Sequence, residues 1–182
     1  MFASLVQGSI LRLVLVGLVL LPLQRTIFTE MRPFGVAIQV VLAMAAACGA
    51  GGGGPQKGAL AGFVLGLMYD LGVGTPLGSS SISMGLGGFT AGYVTSITTD
   101  PQWWLAALFT GLGAAVGETA VPVVRAFIGE EHVFTPRLYT IVPVVAVSAM
   151  VMSPVLVPLG RWCMKVKRPE WKAIPEREAT AE

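Results

Sequence analysis

The chain has 182 residues, 54% of them apolar and only 12% charged, with a net charge of +2 and a mean hydropathy of +0.74. A soluble domain carries about 25% charged residues, so this composition excludes an ordinary water-soluble fold. The thinly spread Lys and Arg offer no nucleic-acid surface.

Apolar runs of about twenty residues recur along the chain and predict a polytopic helical membrane protein. No alternating short strands suggest a barrel. The first helix is predicted over residues 4–23, ending near Pro22. No basic residue precedes Arg12, and Leu21-Pro22-Leu23-Gln24 is not a small-residue cleavage site. The run therefore reads as an uncleaved membrane helix. The second helix, over 34–50, runs into a flexible turn with Gly49, Gly51 to Gly54 and Pro55. Lys57 follows, but without the Gly-Lys-Ser/Thr order of a phosphate-cradling loop.

The third helix is short, over 58–72; the fourth covers 77–97. Asp100-Pro101 breaks the chain, and the fifth helix covers 103–121, stopping before Pro122. The sixth, over 136–162, contains Pro143, Pro154 and Pro158. Hydroxyls or neighbouring helices must satisfy the carbonyls these prolines free. The expected organisation is an all-α, six-helix transmembrane domain over residues 1–165, then a basic and polar tail over 166–182.

Arg161, Lys165, Lys167, Arg168, Lys172 and Arg177 make up half of the 12 Lys and Arg. That cluster places the C-terminus in the cytoplasm, and six spans bring the N-terminus to the same side. Trp103, Trp104 and Trp162 then fall at the inner interface as an aromatic belt. Cys48 and Cys163 lie toward the reducing side and read as free packing thiols.

The most regular pattern is in helix three. Gly58, Gly62 and Gly66 recur every four residues, with Asp70 as the next step. Small residues at this spacing let two helix backbones touch inside a bilayer. Gly85, Gly88 and Gly92 in helix four, and Gly113 and Gly117 in helix five, extend the pattern. Helices three, four and five should pack closely. Between helices three and four lies a turn with Gly72, Gly74, Pro76 and Gly78, followed by Ser79, Ser80, Ser81 and Ser83.

Asp70 and Glu118 are the acids within the spans. Asp70 lies about 18 Å beyond Gly58 and Glu118 about 22 Å beyond Trp103, in helices running the same way. Both acids should therefore share the outer half with Gln39 and the Ser79 to Ser83 hydroxyls. A membrane-buried acid faces the bundle interior or a water-filled cavity. The set reads first as a polar cluster fixing helix register, and second as an outward-facing pocket. Arg12 should snorkel to the inner headgroups. His132, beside Glu130 and Glu131, reads as a solvated loop residue, and no hydrolytic triad or metal set accompanies it.

The run Gly58 to Leu71 (GALAGFVLGLMYDL), then Gly74-Thr75-Pro76-Leu77-Gly78, then Leu86 to Tyr93 (LGGFTAGY) resembles the central block of the MreD family. The pattern is close to G-x-x-x-G-x-x-x-D, a turn with P-L-G, and a helix ending in G-Y. Glu118 and the proline-rich last helix with Pro154, Pro158 and Arg161 are also similar, so the resemblance covers about residues 10–165. One departure stands at Ile38-Gln39, where the family often has Pro-Asp.

The resemblance implies a non-enzymatic subunit of the bacterial rod-shape system in the cytoplasmic membrane, without a cofactor. It implies binding to a bitopic MreC-like protein and support of MreB, RodA and a class B penicillin-binding protein in lateral peptidoglycan synthesis. It also implies a fold like that of the substrate-binding subunits of energy-coupling-factor vitamin transporters. Such a transporter subunit is the alternative function. Against it, Ala3 is the only alanine of the first span, so the small-residue docking pair is missing, and the outer loops lack a set of ligand-binding aromatics.

Overall fold

The computed structural model describes residues 2–28, 30, 35–98, 102–130 and 137–166, with side chains from residue 9. Arg32, Phe34, the Asp100-Pro101 break, His132 and the tail from Lys167 onward lie outside the described residues. The described residues form an all-helical fold without strands. Its helices are α1 (Phe2–Leu23), α2 (Val40–Cys48), α3 (Pro55–Val73), α4 (Ser79–Ile97), α5 (Trp103–Phe127) and α6 (Leu138–Met164). π-helical segments extend α1 over Gln24–Phe28 and α2 over Gly49–Gly53.

Three helical stretches are long and apolar enough to cross a membrane: Ser9–Phe28, Trp103–Phe127 and Leu138–Met164. Their outer faces leave large apolar side chains uncovered, such as Leu15 and Val19 on α1 and Val151 and Val155 on α6. The helices α3 and α4 have 19 residues each, about 28 Å of rise. They carry much of their buried surface as Gly and Ser, which lowers their hydropathy where close packing demands small side chains.

The helix α2 is the centre of the molecule. All nine of its residues are buried, as expected for a helix that is apolar on every side. The helices α1, α3, α4, α5 and α6 form a ring around it, each touching its neighbours, with α1 closing the ring between α6 and α3.

Several element boundaries differ from the sequence expectation. The helix α2 starts at Val40 rather than at residue 34, because Gly35 takes φ +79° and residues 36–39 are not helical. Gln24 meets the new helix start: its Oε1 accepts the Val41 N–H at 2.8 Å. The Gly-rich stretch after α2 is a packed continuation of the helix, with Gly49, Ala50 and Gly51 buried. Gly52 (φ +89°) and Gly54 (φ +81°) then turn the chain into α3, which opens with Pro55 in its first turn.

The helix α5 continues through Pro122 to Phe127. Pro122, which is buried, removes the N–H that would bond the Glu118 carbonyl, and the helix continues past it. In α6 the proline problem is partly solved locally. Pro154 has no N–H to offer the Met150 carbonyl, and the Ser153 hydroxyl donates to it at 2.7 Å instead. Ser148 donates to the Val145 carbonyl, which no proline frees, as an additional bond within the helix.

Candidate functional site

The glycines of α3 lie against the backbone of α4. A Cβ on Gly58 would overlap the Gly88 carbonyl, and one on Gly62 the Met84 carbonyl. A Cβ on Gly66 would lie 2.5 Å from the Ser80 carbonyl oxygen and from Ser81 Cα. The contact is reciprocal: a Cβ on Gly88 would overlap the Gly58 carbonyl, and one on Gly92 would sit 2.6 Å from the Gly54 carbonyl oxygen. Gly49, at the end of α2, is wedged into the same seam against Gly88 and Gly92.

On its other side α4 meets α5. A Cβ on Gly113 would be 2.6 Å from the Gly87 carbonyl oxygen, and one on Gly117 would be 3.2 Å from the Ser83 carbonyl oxygen of α4 and 2.6 Å from Leu42 Cδ1 of α2. Gly87 escaped the sequence reading because it breaks the four-residue rhythm. Its position directly before Gly88 puts it about 100° round the helix, where a second helix can approach.

Asp70 ends the glycine stripe and is almost fully buried. It sits in the last turn of α3, where Gly74 (φ +78°) returns its N–H to the Asp70 carbonyl at 2.9 Å. The chain then turns through Thr75, Pro76 and Gly78 (φ +98°) into α4. The Asp70 carboxylate accepts four hydrogen bonds from that turn. Its donors are Thr75 Oγ1 at 2.7 Å, Gly78 N at 2.8 Å, Ser80 N at 3.2 Å and Ser81 Oγ at 3.4 Å. Gly78 occupies the N-cap of α4 and has no side chain to do that work. Asp70, eight residues upstream, supplies the capping oxygens and the negative charge that a helix N-terminus favours.

Glu118 is also buried, and Gln39 Nε2 donates to its Oε2 at 2.7 Å. This pair joins the start of α2 to the middle of α5. Tyr69, next to Asp70, lies within electrostatic reach of both acids and of Arg25 and Arg125. The acids thus occupy the same end of the bundle, but among the described residues they share no hydrogen-bond partner. Asp70 belongs to the α3–α4 turn and Glu118 to the α2–α5 contact. Ser79 is buried, and among the described residues its Oγ takes no hydrogen-bond partner. Its carbonyl accepts the Ser83 hydroxyl at 2.8 Å. At that end the polar residues fall into two hydrogen-bonded sets, Asp70 with the α3–α4 turn and Gln39 with Glu118.

Three arginines close helix ends. The last carbonyls of a helix have no partner within it, and a cation there also meets the negative end of the dipole. Arg25 Nη1 donates to the Gly72 carbonyl of α3 at 2.7 Å. Arg12 Nη1 donates to the Trp162 carbonyl of α6 at 3.3 Å, and its guanidinium lies 4.9 Å from the Trp162 ring centre. Arg161 Nε donates to the Gly51 carbonyl at 3.0 Å. Arg12 thus meets the Trp162 carbonyl and ring at the end of α6.

Cys48 and Cys163 are both free and buried. Among the described residues, no three His, Cys, Asp or Glu side chains come close enough together to hold a metal ion. The chain matches no family model, no curated protein and no solved structure.

Proposed function

We propose that this chain is an MreD-like membrane subunit that binds an MreC-like bitopic protein within the membrane and at its outer surface, without catalysing a reaction. On this reading all six helices span the bilayer in the manner of energy-coupling-factor substrate-binding subunits, with both termini in the cytoplasm. RodA, a class B penicillin-binding protein and MreB are the further partners of the assembly.

The observation that supports it most is the use to which Asp70 is put. The segment that carries the resemblance, Gly58 to Tyr93, folds as one hairpin whose helices touch backbone to backbone. Asp70 seals its turn with four hydrogen bonds from within the hairpin. An acid committed in this way favours a rigid structural element over a ligand-capturing one. On the outside of the same hairpin the Phe89 and Tyr93 rings stack at 6.1 Å and remain about half exposed. They offer an apolar, preformed surface to a neighbouring transmembrane helix.

The test is co-purification of the full chain with an MreC-like partner from the membrane, alongside binding of labelled vitamins to the purified chain. Recovery of the partner, and rounding of rod-shaped cells on depletion, is the expected result. Tight vitamin binding with no partner recovered would replace this reading with the transporter one.

A further inference from the structure

We draw no further inference here: the strongest candidate, the apolar groove beside α6 with Phe28, Ile38, Val147 and Val151 among its walls, carries nothing because nothing in the structure shows what covers it.

Discussion

The Asp70 carboxylate accepts the Gly78 backbone N–H at 2.8 Å, so the last turn of α3 caps the first turn of α4. This joins the two helices that already touch along their glycine seam. The pair is held at its turn by charge-assisted hydrogen bonds and along its length by backbone contact.

Replacement of Asp70 should therefore damage folding before anything else. Asp70→Ala leaves the N–H groups of Gly78 and Ser80 and the hydroxyls of Thr75 and Ser81 without their acceptor. Ser80 and Ser81 are buried and Thr75 and Gly78 partly so; each buried group left unpaired costs about 1–3 kcal/mol, so the summed loss should reach at least a few kcal/mol. Asp70→Asn keeps one acceptor oxygen and should fall between Ala and the native chain. Thermal unfolding in detergent measures the order, and equal stability of all three would remove the cap from the account.

The glycine seam makes a sharper prediction, because neighbouring glycines differ. A Cβ on Gly62 meets the Met84 backbone, which cannot rotate away, whereas the nearest atom to one on Gly85 is the Ala59 carbonyl oxygen at 3.5 Å. Gly62→Ala should cost at the upper end of about 1–3 kcal/mol. Gly85→Ala should stay within about 0.5 kcal/mol of the native chain. Similar unfolding temperatures for the two variants would show that the α3–α4 seam is looser than described.

The Gln39–Glu118 pair should behave non-additively. Gln39→Leu strands a buried carboxylate, and Glu118→Leu strands a partly buried amide. The double variant strands neither. A double-mutant cycle should give a coupling of about 1 kcal/mol or more in favour of the double variant. Simple additivity of the two losses would mean that the pair contributes nothing jointly.

Topology follows from the basic tail. Half of the Lys and Arg lie from Arg161 onward, and a reporter fused after Glu182 should be active only in the cytoplasm. Activity in the periplasm would reverse the orientation and place the Asp70 end on the cytoplasmic side.

Some of this was legible in the residues alone, and for a physical reason. The glycine repeat of α3 is a local pattern, and helix geometry converts its spacing into a face without any tertiary information. The low charge and long apolar runs likewise announce helices that bury their backbone hydrogen bonds. Even the Ser153 hydroxyl beside Pro154 could be anticipated, since the freed carbonyl lies within the same turn. What only the tertiary structure decided is which distant groups meet. The sequence grouped Asp70, Glu118, Gln39 and Ser79 by depth, yet the acids chose different partners. Asp70 turned to an N-terminus whose own cap is a glycine, and Glu118 turned to the entry of α2. Nothing local marks Gln24 as the acceptor for Val41 N–H, or α2 as the helix that all others surround. Composition and period report what each segment must bury; the pairing of buried donors with acceptors is settled only when the helices pack, because an unpaired polar group inside an apolar bundle costs more than any local preference returns.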